Sequence, residues 1–180
     1  NRGRAGVGEF YFLEVNARIQ VEHPVTEAVT GVDIVAEQLA IAEGRPLRLK
    51  QADVTVAGHA IEVRINAEDP DADFRPSPGT ISRAVFPAGP GVRVDTHLQA
   101  GATVPPYYDS LLAKVIAHAG DRDGARLALR DALDRCAIDG VTTNLGLYRA
   151  LLADAEFAAG GVDTGYLARR LASGRKGQDG

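Results

Sequence analysis

The sequence has no methionine and no tryptophan, and Cys136 is its single cysteine among 180 residues. One cysteine excludes an intrachain disulfide, and Cys136 falls at helical spacing with Leu129 and Leu133. That spacing favours a small buried side chain, and nothing nearby in the sequence would activate a thiol. Because even an initiator methionine is missing and a strand signal begins within a few residues, we expect an incomplete chain.

Long apolar runs and an excess of positive charge are also missing. No run approaches the roughly 18 apolar residues that span a bilayer, and the N-terminus lacks the apolar core of a signal peptide. Twenty Lys and Arg against 24 Asp and Glu give a net charge of -4, which argues against nucleic acid and anionic membranes as partners. We therefore expect a cytoplasmic protein with no nucleic-acid or membrane partner, in which a local cluster holds any anionic ligand.

Hydrophobic periodicity predicts an α+β chain. Residues 9–22 alternate apolar and polar side chains as one extended segment, and Asp33 then caps a helix that Gly44 ends. Four short extended segments at 61–67, 80–86, 92–98 and 111–118 predict a mostly antiparallel sheet or a small barrel, with a loop at 69–79. Helical spacing returns over about 121–136, 144–153 and 166–171, before a polar tail that is expected to fray.

The polar positions of the first extended segment carry two carboxylates, two amides and a guanidinium: Glu14, Asn16, Arg18, Gln20 and Glu22. On a strand, residues two apart lie about 6.6 Å apart on one face. One interpretation of the row is therefore the solvent-exposed face of a half-buried strand. Asparagine is depleted in strands, however, and the oxygens of Glu14 and Asn16 suit Mg²⁺ or Mn²⁺. Arg18 and Gln20 would meet an accompanying anion, which leaves Glu22 as a candidate base.

These residues belong to a longer motif, Phe12-Leu-Glu-Val-Asn-Ala-Arg-Ile-Gln-Val-Glu-His-Pro-Val-Thr-Glu27, which strongly resembles the signature of the biotin carboxylases. Those enzymes are ATP-grasp ligases, found as subunits or domains of acetyl-, propionyl- and other acyl-CoA carboxylases and of pyruvate carboxylase. The resemblance continues through Gly58-His-Ala-Ile-Glu-Val-Arg-Ile-Asn-Ala-Glu-Asp-Pro70, Pro76-Ser-Pro-Gly79, Val104-Pro-Pro-Tyr-Tyr-Asp-Ser110 and Ile138-Asp-Gly-Val-Thr-Thr-Asn144. It implies the C-terminal piece of an ATP-grasp domain at 1–47, the biotin carboxylase C-terminal domain at 48–172 and a flexible tail at 173–180.

Carried over residue by residue, the resemblance implies that Glu14 and Asn16 bind the Mg²⁺ or Mn²⁺ ions that accompany ATP. Arg18, Gln20 and the backbone of Val21 would hold bicarbonate. The resemblance also implies that Glu22 removes the proton of bicarbonate, so that bicarbonate can attack the γ-phosphate of ATP. Arg18 and Glu22 are thus two members of the implied catalytic set.

Arg64 is the third implied catalytic residue and the implied biotin-binding residue, where its guanidinium would stabilise the biotin enolate. It shares the polar face of the second extended segment with Glu62 and Glu68, so without the motif an exposed surface ion pair would be the simpler interpretation. A preorganised cation at a developing oxyanion, however, gives a large stabilisation of the transition state.

The implied function is ATP-dependent carboxylation of biotin on a carrier protein, with bicarbonate as the carboxyl source and carboxyphosphate as the intermediate, within an acyl-CoA carboxylase such as the acetyl-CoA carboxylase of fatty acid biosynthesis. The implied partners are a biotin carboxyl carrier protein or domain, a carboxyltransferase and a second copy of the full-length chain. Arg93 lies in the stretch that many members of the family use for dimerisation. The phosphate loop and ATP-binding lysines of the family are not found in these 180 residues, so we expect the chain alone to be inactive.

Two alternatives stay open. One is a non-catalytic dimerisation or carrier-docking module of the same fold, against which the complete set of polar residues argues. The other is an ATP-grasp ligase with a different acceptor, against which the Gln-Val-Glu-His-Pro run at 20–24 argues.

Overall fold

The computed structural model describes residues 11–175, over which helices and short antiparallel strands mix as expected for an α+β chain. In chain order the elements are α1 (His23–Thr30), α2 (Ile34–Ala42), β1 (His59–Asn66), β2 (Glu68–Asp69), β3 (Arg75–Pro76), β4 (Gly79–Thr80), β5 (Arg83–Val85), β6 (Val92–Thr96), β7 (Thr103–Val104), β8 (Leu111–Ala119), α3 (Arg122–Asp134), β9 (Ala137–Asp139), α4 (Leu145–Ala153), α5 (Ala155–Ala159) and α6 (Tyr166–Arg175). None of these helices is long and apolar enough to cross a membrane.

Strand β8 is the centre of the fold, because it pairs antiparallel with β1 on one side and with β6 on the other. The other strands form three short antiparallel pairs, β2 with β3, β4 with β7 and β5 with β9. The predicted antiparallel pairing is confirmed. Within residues 11–175 the strands form this open sheet and short ladders, and the small barrel that the sequence also allowed is not observed.

Helix α3 covers one face of the sheet and closes the hydrophobic core. Its apolar stripe buries Leu129 and Leu133, which belong to one cluster with Ile65 of β1 and Val115 of β8. Cys136 is buried in the same cluster, and burial raises the pKa of its thiol. The cysteine is therefore a core residue, as its helical spacing predicted.

Helix α1 packs on the opposite side, against β1 and β8. The alternation predicted for β1 is confirmed, since Val63 and Ile65 are buried while Arg64 is exposed. Because a strand alternates its side chains between two faces, the charged side chains of β1 share the face that α1 partly covers.

The predicted strand over residues 9–22 is wrong for the part that can be assessed. Residues 11–20 form no strand, and Leu13 and Val15 are as exposed as the polar residues between them; residues 9 and 10 lie outside the described range. A strand is stabilised by a hydrogen-bonded neighbour and by cover over its apolar face. Nothing within residues 11–175 pairs with this segment, so its alternating sequence alone does not make it a strand.

Helix α1 was not predicted, because Pro24 was interpreted as the end of an extended segment. Proline in fact occupies the first turn of this helix, where its missing N–H costs no hydrogen bond. The other predicted helices are confirmed: Asp33 caps α2 by accepting from the Ala36 N–H at 2.8 Å, and Asp121 caps α3 through the Gly124 N–H at 2.8 Å. Helix α6 continues to Arg175, inside the segment predicted as a tail, and residues 176–180 lie outside the described range.

Candidate functional site

Four of the predicted site residues line one cavity of about 530 Å³, at the junction of the segment before α1 with helix α2. Asn16, Arg18, Gln20 and Glu22 contribute to its wall. Polar side chains that the sequence placed on one strand face therefore do converge. They converge through a turn leading into α1 rather than through a strand.

A tight turn between Gln20 and His23 shapes this wall. The backbone N–H of His23 donates to the carbonyl oxygen of Gln20 at 3.2 Å, and His23 Nδ1 lies 2.7 Å from the same oxygen. His23 is therefore a structural residue that closes the turn. The turn carries Gln20, Val21 and Glu22 past one corner of the sheet.

Glu22 and Arg64 meet at that corner, with Glu22 Oε2 2.8 Å from Arg64 Nη2. A hydrogen bond from its own backbone N–H, together with the charges of Arg64 and Arg18, lowers the pKa of the Glu22 carboxyl. Glu22 is therefore ionised at neutral pH and able to accept a proton. Arg64 pairs here with the candidate base and not with Glu62 of β1 or Glu68 of β2, the partners expected for a simple surface arginine.

Arg18 and Gln20 lie side by side at the cavity. Arg18 Nη1 is 3.3 Å from the carbonyl oxygen of Ile19 and 3.5 Å from Gln20 Oε1. Both contacts are long for hydrogen bonds. A planar guanidinium beside an amide can bind the oxygens of a small planar anion.

Glu14 and Asn16 are both exposed, and only Asn16 lines the cavity. Within residues 11–175 no group of three His, Cys, Asp or Glu side chains could hold a metal ion. A carboxylate and an amide oxygen are nevertheless the hard donors that Mg²⁺ accepts. As a donor set these two residues fit a magnesium ion that takes its remaining ligands from elsewhere.

Asn144 holds the backbone of Arg64 and was noted in the sequence as the start of a helix and the end of the motif that begins at Ile138. Its Oδ1 accepts from the Asn66 N–H at 2.9 Å and its Nδ2 donates to the Arg64 carbonyl oxygen at 3.1 Å. The pairing of β1 with β8 shifts register between Ile65 and Asn66, so this buried amide supplies hydrogen bonds where the ladder is interrupted. Its place in that motif is the signal that the sequence offered, because its burial is visible only in the structure.

Lys114 also reaches the turn and was not predicted as a site residue. Its Nζ lies 3.4 Å from the carbonyl oxygen of Val21 and 3.2 Å from Asp95 Oδ2. The sequence signal was a single lysine inside the otherwise apolar run Leu111-Leu-Ala-Lys-Val-Ile-Ala117. A cation in such a strand needs a partner outside the core.

Comparison with known proteins identifies the family of this chain. Residues 62–169 match the family described as Biotin carboxylase C-terminal domain, and residues 5–50 match the Carbamoyl-phosphate synthase L chain, ATP binding domain. The chain belongs to the biotin carboxylase family. Members of this family are ligases, and the resemblance noted in the sequence is confirmed.

Biotin carboxylase relatives align along nearly the whole chain. The biotin carboxylase of Pseudomonas aeruginosa is 54% identical over 164 residues, which are 91% of this chain and 36% of the relative. Biotin carboxylase 1 of Bacillus subtilis is 48% identical over 158 residues, 88% of this chain and 35% of the relative. The chain thus spans about a third of the length of these relatives.

A solved structure with the same fold is the biotin carboxylase domain dimer of the Hydrogenobacter thermophilus 2-oxoglutarate carboxylase, in complex with MgADP, ADP and bicarbonate. It matches with a TM-score of 0.87 and 48% identity, over 90% of this chain and 36% of that chain. Helices and antiparallel strands of the present chain therefore follow the fold of a biotin carboxylase domain.

Proposed function

We propose that this chain forms the C-terminal third of a biotin carboxylase and supplies the residues that handle bicarbonate and biotin. The observation that carries the proposal is the 2.8 Å contact between Glu22 Oε2 and Arg64 Nη2. It joins the candidate base for bicarbonate to the candidate cation for biotin, although 42 residues separate them. The two halves of the proposed reaction are thereby adjacent.

Glu22 acts first in this proposal. Its carboxylate, which is ionised at neutral pH, accepts the proton of a bicarbonate held by Arg18, Gln20 and the Val21 backbone. The deprotonated bicarbonate oxygen attacks the γ-phosphate of ATP, which forms carboxyphosphate and releases ADP. Carboxyphosphate then breaks down to CO₂ and phosphate.

Arg64 acts in the second half. The released phosphate takes the ureido proton of biotin, and the Arg64 guanidinium stabilises the negative charge that develops on the ureido oxygen. The ureido nitrogen then attacks CO₂ and forms the new carbon–nitrogen bond. Arg64 thus has a role distinct from that of Glu22, although the two side chains touch.

Glu14 and Asn16 are proposed to hold the Mg²⁺ that accompanies ATP, since their oxygens suit a hard cation. Such an ion neutralises phosphate charge during phosphoryl transfer. The relative from Hydrogenobacter thermophilus, which holds MgADP and bicarbonate, supports ATP, magnesium and bicarbonate as ligands. Mn²⁺ in place of Mg²⁺ stays a prediction.

The proposed partners are a biotin carboxyl carrier protein or domain, a carboxyltransferase and a second copy of the full-length chain. The dimeric biotin carboxylase domain among the similar structures supports the last of these. We further propose a cytoplasmic acyl-CoA carboxylase, such as the acetyl-CoA carboxylase of fatty acid biosynthesis. The domain boundaries at residues 47 and 172 stay part of the same proposal.

The experiment compares the 180-residue chain with the longer protein in which it is joined to its ATP-binding lobe. ADP release and carboxylation of free biotin are measured with and without bicarbonate. We expect bicarbonate-dependent turnover from the longer protein and none above background from the 180 residues. Turnover by the short chain after repurification would refute the proposal that these residues need the ATP-binding lobe for activity. A longer protein whose turnover does not depend on bicarbonate would favour a non-catalytic module.

A further inference from the structure

Lys114 is placed where an apolar side chain would be the ordinary choice. Its neighbours along β8, Ala113 and Val115, are buried, and its own side chain is only 13% exposed. Taking an ammonium group this far out of water is costly unless it is paired. Asp95 Oδ2, at 3.2 Å, provides the pairing charge.

The register of the sheet adds electrostatic repulsion to the cost of burying Lys114. Lys114 lies directly opposite Arg64 on β1 and opposite Asp95 on β6. Like charges directly opposite each other on a sheet are destabilising. Glu22 pairs with Arg64, and Asp95 pairs with both Lys114 and Arg93, but an apolar residue at 114 would avoid the repulsion altogether.

Lys114 also makes a contact outside the sheet, and this contact suggests a role for its charge. Its Nζ lies 3.4 Å from the carbonyl oxygen of Val21, which is at the long end for a hydrogen bond. A peptide unit is planar, so holding the Val21 carbonyl also orients the N–H of Glu22 in the same plane. That N–H also helps to lower the pKa of the Glu22 carboxyl. A cation on the carbonyl also polarises the peptide and strengthens its N–H as a donor.

We propose that Lys114 is a positioning residue for the bicarbonate step, which fixes the Val21–Glu22 peptide against the sheet and thereby orients the Glu22 carboxylate. This inference rests on the proposed function, because it gives Lys114 a role in a reaction that the chain shares with its ATP-binding lobe. Lys114 touches neither bicarbonate nor biotin in this proposal. It acts through the peptide that it holds.

The test uses the longer protein that contains the ATP-binding lobe, with Lys114→Met to remove the charge and the donor at similar length. We expect kcat/KM for bicarbonate to fall about tenfold, with the KM for ATP within about twofold of the wild type. The acid limb of the pH profile should move to higher pH, because the Glu22 carboxylate loses its oriented N–H donor. Lys114→Arg should restore most of the loss. Lys50→Met, at an exposed loop lysine, is the matched control and should change nothing.

Lys114→Met also removes a positive charge close to the buried carboxylate of Glu62, and this could prevent folding. Asp95→Asn is therefore the second variant, since it weakens the anchor of Lys114 and keeps the lysine, although it also weakens the ion pair between Asp95 and Arg93. It should lower kcat/KM for bicarbonate about threefold in the same assay.

The outcomes separate the two proposals. Wild-type protein without bicarbonate-dependent ATP cleavage would refute the proposed function, and this inference with it. Wild-type activity combined with an unchanged kcat/KM for bicarbonate in the folded variant would overturn the inference alone. Equal losses for ATP and bicarbonate, or no rescue by Lys114→Arg, would also overturn it, because they would indicate a general structural defect.

Discussion

Glu22 and Arg64 form an ion pair in which Oε2 and Nη2 are 2.8 Å apart, between a turn and a strand. Each side chain is about half exposed, so the pair itself adds little to the stability of the fold. Its importance lies in the coupling of two functional groups. The guanidinium that would meet biotin also helps to lower the pKa of the carboxyl that would deprotonate bicarbonate.

Glu22→Gln should suppress both half-reactions in the full-length enzyme. Glutamine cannot accept the proton, so carboxyphosphate never forms and neither bicarbonate-dependent ATP cleavage nor biotin carboxylation proceeds. Arg64→Ala should instead cost roughly 3 kcal/mol, or about a hundredfold, in carboxylation while sparing much of the ATP cleavage. The two rates are measured side by side for each variant.

The ion pair adds a second readout for Arg64→Ala. Removing the guanidinium raises the pKa of Glu22, so more of the carboxyl is protonated as the pH falls. The acid limb of bicarbonate-dependent ATP cleavage should therefore move to higher pH. Equal losses of both rates with an unmoved acid limb would show that Arg64 is a general organiser of the site.

The sequence predicted the elements that begin at a clear capping residue or that are long enough to show a periodic pattern. Helix α3 was predicted from its apolar spacing and from Asp121 as its cap, and β8 as the extended segment 111–118; both lie within two residues of the expected bounds. Strands β2, β3 and β9 have two or three residues each, too few to show a period. Helix α1 was missed because Pro24 was taken as a stop, although proline also suits a first turn.

The site was predictable in residue type and much less so in geometry. The row from Glu14 to Glu22 supplied the candidate site residues, whose roles stay predictions, and four of its members line one cavity. The contacts that organise them are tertiary, however, with Glu22 and Arg64 separated by 42 residues and Val21 and Lys114 by 93. A pattern within one stretch of sequence does not indicate which residues of distant stretches come into contact.

Glu14 and Asn16 are predicted to set the metal dependence. In the full-length enzyme Glu14→Gln or Asn16→Ala should raise the Mg²⁺ concentration needed for half-maximal activity and slow turnover, because a hard oxygen ligand is weakened or lost. Activity is titrated against Mg²⁺, and circular dichroism checks the fold. Glu43→Gln, at an exposed position beyond α2, is the control. An unchanged metal dependence would make these two residues ordinary surface groups.

Glu62 is predicted to destabilise the folded chain at neutral pH. Both of its carboxylate oxygens are buried without a hydrogen-bond partner in the described part of the chain, and burial raises its pKa. A carboxyl with a raised folded-state pKa contributes stability below its unfolded pKa and loses that contribution as the pH rises through the folded value. Glu62→Gln should therefore raise the unfolding temperature at pH 8.

The advantage of the Glu62→Gln variant should shrink as the pH falls towards the ordinary pKa of a glutamate, because the wild-type carboxyl then becomes neutral as well. Thermal unfolding of the 180-residue chain between pH 4 and pH 8 measures it. Glu156→Gln, at an exposed side chain, is the control. A gap between Glu62→Gln and the wild type that does not depend on pH would contradict the idea that the buried charge is its cause.

Gly140 and Gly146 provide a matched pair for testing the packing of the C-terminal half. Gly140 has φ +103°, and a Cβ there would lie 2.1 Å from the Thr80 carbonyl oxygen and 2.9 Å from the Ser82 nitrogen. Gly146 lies in helix α4, where such a Cβ would have no atom within 4 Å apart from its chain neighbours and the backbone of its own helix. Gly140→Ala forces backbone against backbone and a strained dihedral, whereas Gly146→Ala only removes backbone freedom from the unfolded chain.

Gly140→Ala should therefore lower the free energy of unfolding by about 2 kcal/mol or more, while Gly146→Ala should raise it by about 0.5–1 kcal/mol. Urea unfolding of the 180-residue chain followed by circular dichroism gives both values. The opposite signs are the decisive result, because both variants add the same methyl group. A Gly140→Ala variant as stable as the wild type would mean that the loop after β9 does not pass this close to Thr80 and Ser82.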